Sequence, residues 1–272
     1  MTKLARRPLG NTGLSVSCLG LGTVKFGRNQ QVKYPGNYPL PTDCAIQELL
    51  ALASDLGINL LDTAPAYGSS ERRLGRLLTN RDAWVLCSKV GEEFIDGKSV
   101  FNFHENHVRK SIERSLRELQ TDYLDVVLIH SDGNDLSILE NTDCVDTLQR
   151  MKNRGLVRSI GMSSKTVAGG LRTLELMDIA MVTYNSSTTA ESEVIDYAAA
   201  HHKGLLVKKA LQSGHLALPT ISTSANASVA MDNAGKALMF ALSNPGVSSV
   251  ILGTINPNHL RTNVKAVNLM SS

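Results

Sequence analysis

No apolar run in the 272-residue chain approaches the ~20 residues that a membrane-spanning helix needs, so a helical span is excluded. The N-terminus, Met1 to Arg7, is basic but leads into no apolar h-region, so no secretory signal is expected. Cysteine is scarce: Cys18, Cys44, Cys87 and Cys144 form no Cys-x-x-Cys and no Cys/His spacing suited to zinc, so no metal site is expected. Cys18 and Cys87 lie within apolar runs, as small buried residues of a reducing compartment do, which points to a cytoplasmic protein. Charge of one sign is lacking too. The 28 basic and 25 acidic residues leave a net +3, and the densest basic stretch, 107–117, is broken by Glu113 and apolar residues at helical spacing. That is a solvated helix face and not a nucleic-acid footprint. No Pro/Gly/Ser-rich linker divides the chain, so one domain over 1–272 is expected. A Gly-x-Gly-x-x-Gly fingerprint is missing as well: Gly20-Leu21-Gly22-Thr23 is followed next by Gly27, with no acidic residue in the right frame.

What is present is a repeated pattern. Apolar runs rich in β-branched residues fall at 18–23, 58–62, 84–90, 124–130, 157–162, 179–184, 205–210 and 249–252. Helix-period segments alternate with them at 42–56, 70–78, 105–119, 143–154, 167–176, 191–202, 228–242 and 257–268. The strand runs are continuously apolar, as in a parallel sheet covered on both faces. Strict alternation permits an open doubly wound sheet or a closed barrel, and eight repeats in this length favour the (β/α)8 TIM barrel. Ahead of the first run, residues 8–17 read as a β-hairpin with Asn11 and Gly13 at its turn, an N-terminal addition plugging the barrel floor.

Polar residues stand at the carboxyl ends of these runs: Asp62, then Lys89, then His130, then Ser163-Ser164. In a barrel those ends converge on one mouth, where active sites are built. Singly, each has a structural explanation, such as a turn cap, a solvated lysine or a core histidine. Together they describe a chemistry. A carbonyl accepting hydride needs a proton for its developing alkoxide, and a neutral phenol is able to give it. Tyr67, five residues beyond Asp62, is folded back over the mouth by Pro65 and Gly68. A lysine beside the phenol lowers its pKa from the usual ~10, a carboxylate keeps that lysine charged, and an imidazole offers a donor to the carbonyl oxygen.

These segments resemble the aldo-keto reductase family over nearly the whole chain. Leu61-Asp62-Thr63-Ala64-Pro65-Ala66-Tyr67-Gly68 is similar to its Asp…Tyr segment and Ser88-Lys89-Val90 to its lysine strand. Leu128-Ile129-His130 is similar to its histidine strand, and Ser159-Ile160-Gly161-Met162-Ser163 to its fifth-strand segment. The resemblance implies Tyr67 as proton donor, with Asp62, Lys89 and His130 as its catalytic companions. It also implies an extended nicotinamide cofactor across the mouth, NADP(H) in preference to NAD(H), and a small carbonyl substrate. By the same resemblance Gly22, Thr23 and Asp62 approach the cofactor, and Ser163 and Ser164 bind its carboxamide. Ser213, Gly214 and Leu216 line its pyrophosphate, while Gly253, Thr254, His259 and Asn263 hold its adenosine end.

The chain departs from the family in three places. Met181 stands where many members carry a carboxamide-binding Gln. Lys208 stands where many stack a ring on the nicotinamide, and it is suited to a phosphate or carboxylate instead. Gly253 and His259 replace the Lys and Arg of stronger 2′-phosphate binders, with Arg261 and Lys265 near enough to substitute. Three readings therefore stand: a carbonyl reductase, a nicotinamide-binding regulatory barrel with little turnover, and a Schiff-base aldolase using Lys89 or Lys208.

Overall fold

The computed structural model describes residues 3–32, 38–212 and 233–269. β1 (Arg6–Pro8) and β2 (Ser15–Ser17) pair antiparallel as the N-terminal hairpin. β3 (Leu19–Gly22), β4 (Leu60–Asp62) and β5 (Val85–Val90) open the barrel. A second hairpin, β6 (Glu92–Ile95) and β7 (Lys98–Phe101), follows at the mouth. The barrel then continues through β8 (Leu124–His130), β9 (Val157–Ser163), β10 (Ile179–Thr183), β11 (Gly204–Lys208) and β12 (Ser249–Leu252). Parallel pairing runs through all eight and β12 closes on β3. The expected closed (β/α)8 barrel is the observed one.

The helices are α1 (Val24–Gly27), α2 (Asp43–Asp55), α3 (Ser70–Leu77), α4 (Glu105–Leu119), α5 (Asp135–Asn141), α6 (Cys144–Asn153), α7 (Val167–Leu176), α8 (Ser192–Ala200), α9 (Asn233–Ser243) and α10 (Pro257–Asn268). Thr42 caps α2 by accepting from the Ala45 N–H, and Thr166 caps α7 by accepting from that of Gly169. α1, α5 and the β6–β7 hairpin are additions to the strict alternation read from the sequence. The 228–242 helix is present from Asn233, and residues 228–232 of that expectation lie outside the described residues.

Strand parity divides the core in two. Leu61, Leu86, Val90, Val127, Ile129, Ile160, Met162, Val182 and Val207 join the helices in an outer layer. Leu60, Val85, Cys87, Val126, Leu128, Ile179, Met181 and Leu206 point inward and pack with Leu9, Leu14 and Val16 of the first hairpin. That hairpin closes the amino-terminal end of the barrel. The Asn11 N–H donates to the carbonyl of His202, just ahead of β11. Asn11 and Gly13 both lie in its turn, as expected, and the left-handed positions there are Gly10 (φ +58°) and Gly13 (φ +74°). Cys18, Cys87 and Cys144 are buried free thiols. Among the described residues, no helix is long and apolar enough to cross a membrane.

Candidate active site

Side chains alternate along a strand, so each residue two places beyond an inward-facing one faces inward too. Lys89 follows Cys87, His130 follows Leu128, and Lys208 follows Leu206, all three of the earlier residues belonging to the inner core. Asp62 follows Leu60 in the same way. Ser163 and Thr183 take the equivalent places on β9 and β10, in register with His130 and Lys208 respectively. The barrel is apolar until its carboxyl rim, where one layer of polar side chains replaces the aliphatic ones. Met181, 2% exposed in the inner core, is in register with Ser163 on β9, and Thr183 stands two residues further along the strand.

Asp62 and Lys89 form the centre of this layer. Lys89 Nζ donates to Asp62 Oδ1 at 2.5 Å and to the Thr63 carbonyl at 2.9 Å, with Lys89 only 2% exposed. Burial pulls the lysine pKa down, but the Asp62 carboxylate, with Tyr67 and Cys87, outweighs it and holds the ammonium above its usual range. Thr23 secures the strand that presents Asp62. Its N–H and its hydroxyl both donate to the Asp62 carbonyl, at 2.9 and 3.0 Å.

Tyr67 closes a single 3-10 turn, Pro65–Tyr67, and is terminated by Gly68 at φ +63°. A Cβ on Gly68 would lie 2.3 Å from the Gly27 carbonyl oxygen, so only glycine allows the turn to sit against α1. The Tyr67 ring then lies over Lys89, with Nζ 4.8 Å from the ring centroid, and edge-to-face with His130 at 6.2 Å. The phenol is pushed up to about 12, above its ordinary value and not below it: burial dominates, Lys89 pulls down, and the Asp62 carboxylate pushes up. The lysine acts in the expected direction without winning. Tyr67 is therefore fully protonated at neutral pH.

His130 Nδ1 lies 2.7 Å from Glu92 Oε2 on β6. Burial lowers the imidazole pKa, Glu92 opposes this, and Lys89 and Lys208 add to the lowering. Glu92 itself is lowered to about 2: burial raises it, but His130, the Ser99 hydroxyl and Arg28 prevail. Arg28 ties this hairpin to the tyrosine turn. Its guanidinium stacks 3.6 Å from the Phe94 ring centroid, approaches Glu92 at 3.7 Å, and donates to the Ala66 carbonyl at 3.1 Å. Neither Glu92 nor Arg28 was among the residues singled out from the sequence. The available signal was Asp96-Gly97, both at positive φ, between two alternating stretches: the sign of a two-residue hairpin turn.

On the opposite rim, Lys208 Nζ donates to Ser163 Oγ and to the Ser164 carbonyl, both at 2.7 Å. Burial drives its pKa down to about 7, opposed by Glu191 and reinforced by Lys209 and Lys89. Ser164 turns the other way, its hydroxyl buried without a partner, 3.4 Å from where a Cβ on Gly170 of α7 would stand. Asp135 is another residue that sequence reasoning missed. It accepts from Ser131, from the Lys165 and Thr166 N–H groups and from the Thr166 hydroxyl, joining the loops after β8 and β9.

The remaining positions are spread along the rim. Gly22 ends β3 beside Asp62. Gly253 and Thr254 follow β12, and Thr254 Oγ1 accepts from the Asn256 N–H ahead of α10. His259 is exposed on α10 and Asn263 is buried beneath it. Ser213, Gly214 and Leu216 lie outside the described residues. Among the described residues, no cluster of His, Cys, Asp or Glu is arranged to hold a metal.

The comparisons with known proteins agree with this geometry. The model of the Aldo/keto reductase family matches residues 18–225. L-galactose dehydrogenase from Arabidopsis thaliana is 30% identical over 304 residues, covering 100% of this chain and 91% of that protein. An aldo-keto reductase of solved structure from Pseudomonas aeruginosa is 52% identical with a TM-score of 0.86, covering 98% of this chain and 95% of its own. Another, from Bacillus halodurans, shares the fold at 24% identity and a TM-score of 0.79, with 97% and 91% covered. The family match spans most of the barrel and the plant relative spans all of the chain, so this protein belongs to the aldo-keto reductase family of oxidoreductases.

Proposed function

We propose that the chain reduces an aldehyde or ketone to an alcohol with a nicotinamide cofactor, NADP(H) in preference to NAD(H), and that Tyr67 gives the proton. The observation that carries this reading is the stacked order of Tyr67, Lys89 and Asp62 at the rim. A phenol pushed up to about 12 stays protonated, a buried ammonium beneath it stabilises the phenolate left after transfer, and a carboxylate keeps that ammonium charged. A site that only held a cofactor would need none of the three.

The donor set suits an extended anionic ligand with an amide at one end. The ammonium of Lys208 and the hydroxyl of Ser163 meet on one side of the rim. The other side carries the N-terminus of the twelve-residue α10, with Gly253 and Thr254 before it. Ser163, the Ser164 main chain and Lys208 would take the carboxamide end. Gly22, Thr23 and Asp62 would border the nicotinamide, and Gly253, Thr254, His259 and Asn263 the adenosine end. Exposed His259, Arg261 and Lys265 on α10 favour a 2′-phosphate. When bound, the cofactor supplies the hydride; the protein supplies orientation and the proton. An aldolase reading through Lys89 fits less well, because Asp62 holds that lysine protonated and it is then no nucleophile.

Replacing Tyr67 tests the assignment. Tyr67→Phe should lower carbonyl-dependent NADPH oxidation by roughly 10²- to 10⁴-fold, the usual worth of a positioned acid. NADPH binding, followed by quenching of Trp84 and tyrosine fluorescence, should stay near wild type. Undiminished turnover would remove Tyr67 from the reaction.

A further inference from the structure

Arg28 is a buried cation that the four rim residues do not account for. It follows α1 and is 9% exposed, yet its guanidinium is bonded to main-chain carbonyls and not to a carboxylate. Nε donates to the Gln30 carbonyl at 2.9 Å, Nη1 to that of Ala66 at 3.1 Å, and Nη2 to that of Gln31 at 3.3 Å. Among the described residues Glu92 alone pairs with its charge, at 3.7 Å, and Glu92 also faces His130. An arginine stays protonated in such a place, so a fixed positive charge stands between the tyrosine turn and the inserted hairpin. The main chain aims this contact at the turn. The Ala66 carbonyl belongs to the peptide that leads into Tyr67, and the Gly27 carbonyl accepts from the Ser69 N–H at 3.4 Å. Residues 27 and 28 thus hold the turn on either side of Tyr67.

We propose that Arg28 is a positioning residue for the proton donor: it fixes the turn that carries Tyr67 and sets a second positive charge, after Lys89, against the Glu92 carboxylate. The proposal rests on the reading of Tyr67 as donor and deepens it with a residue outside the Asp62, Tyr67, Lys89 and His130 set. As hydride from the cofactor reaches the carbonyl carbon, the Tyr67 Oη–H bond breaks. The proton goes to the carbonyl oxygen, and the electron pair stays on Oη as a phenolate. The charged and titratable groups around that oxygen, among the described residues, are Lys89 on β5, Asp62 on β4, Glu92 on β6, His130 on β8 and Arg28. Glu92, Tyr67 and Tyr38 face the guanidinium in turn, and each raises its pKa against the lowering by burial. The attraction between Arg28 and Tyr67 is mutual, so the guanidinium favours the phenolate while Glu92 disfavours it.

Three variants separate charge from bracing. Arg28→Gln keeps an N–H donor and loses the charge, Arg28→Lys keeps the charge and loses the planar fork, and Glu92→Gln removes the opposing carboxylate. Ring-trifluorinated tyrosine installed at position 67 has a more acidic phenol, so its ionisation can be followed by ¹⁹F resonance while the protein stays folded. The midpoint should rise by about one pH unit in Arg28→Gln, the low end of what a neighbouring opposite charge does. It should stay near wild type in Arg28→Lys and fall in Glu92→Gln. With the natural tyrosine, Arg28→Gln should lower kcat for carbonyl reduction by up to about tenfold, while NADPH affinity by fluorescence titration holds. A brace without an electrostatic role would move the midpoint in the same direction in all three variants. That result, or a midpoint unmoved by Arg28→Gln, would overturn the proposal. The ¹⁹F titration needs no turnover. A protein that oxidised no NADPH would thus sink the reductase reading while the effect of Arg28 on the phenol was still decided.

Discussion

Asp62→Asn removes the charge that holds Lys89 while changing shape very little. Lys89 is 2% exposed and its Nζ sits 2.5 Å from Asp62 Oδ1, so the variant leaves an ammonium in the barrel with only neutral acceptors. Breaking one side of such a pair costs about 3–5 kcal/mol, because the remaining charge is buried and uncompensated. Removing both charges is a different perturbation. Asp62→Asn with Lys89→Met leaves no buried ion, and replacement of a whole pair by neutral groups is often near neutral for stability. The double variant should therefore be more stable than the single one by most of that 3–5 kcal/mol, although both lose activity. The pH dependence separates them further. In the wild type Lys89 is raised above its unfolded value, so its contribution is complete below the usual lysine pKa and is lost only above it. In Asp62→Asn the buried lysine falls below its unfolded value. The unfolded chain then binds the extra proton, and stability rises with pH toward ~10. Urea denaturation at pH 7 and pH 9.5 measures both effects. Equal stability of the single and double variants, with no pH slope in the single one, would refute the account of Lys89 as a paired buried charge.

Two further perturbations act elsewhere. Glu71 is 1% exposed, accepts from Ser88 and Ser115, and is raised to about 7 mainly by burial. Its folded form holds a proton that the unfolded chain releases, so stability should fall between about pH 4.5 and 7 by on the order of 3 kcal/mol; Glu71→Gln should flatten that slope in denaturation curves, and an unchanged slope would argue against a buried acid. Lys208 is lowered to about 7, so its positive charge is present below that pH and lost above it. NADPH affinity by fluorescence titration should weaken as pH rises from 6 to 8, and Lys208→Met should remove that dependence; a variant that keeps it would place Lys208 away from the cofactor.

The barrel was readable because its strands are buried on both faces. The stretches 124–130 and 249–252 are mainly apolar, and both are strands with those limits. The rim layer was readable for the same reason: Asp62, Lys89 and His130 are polar residues ending apolar runs. The β6–β7 hairpin follows another rule. Glu92-Glu93-Phe94-Ile95 and Lys98-Ser99-Val100-Phe101 lie outside the barrel, with Ile95 and Val100 exposed, so no continuous apolar run marks them. Asp135 was hidden for a related reason. Its buried carboxylate is stabilised by N–H groups and hydroxyls some 30 residues away in sequence, and that pairing leaves no periodic trace.

The same distinction explains why the tyrosine's environment came out differently from its sequence reading. The order of Tyr, Lys and Asp pointed to the lysine's downward pull on the phenol, but the balance depends on burial, which no spacing encodes. Lys89 draws the Tyr67 pKa down, yet Asp62, needed to keep Lys89 charged, pushes it up, and desolvation exceeds both. A phenol near 12 is a proton held in reserve: it remains in place at neutral pH and moves when negative charge grows on an oxygen beside it. His130 differs in that a carboxylate from outside the family's four residues, Glu92 on the hairpin, lies 2.7 Å from its Nδ1 and opposes the lowering of its pKa by burial. The proposed proton donor, Tyr67, is thus held by the turn after β4 above a lysine and a carboxylate that the barrel strands present, while the inserted hairpin adds a second carboxylate beside His130.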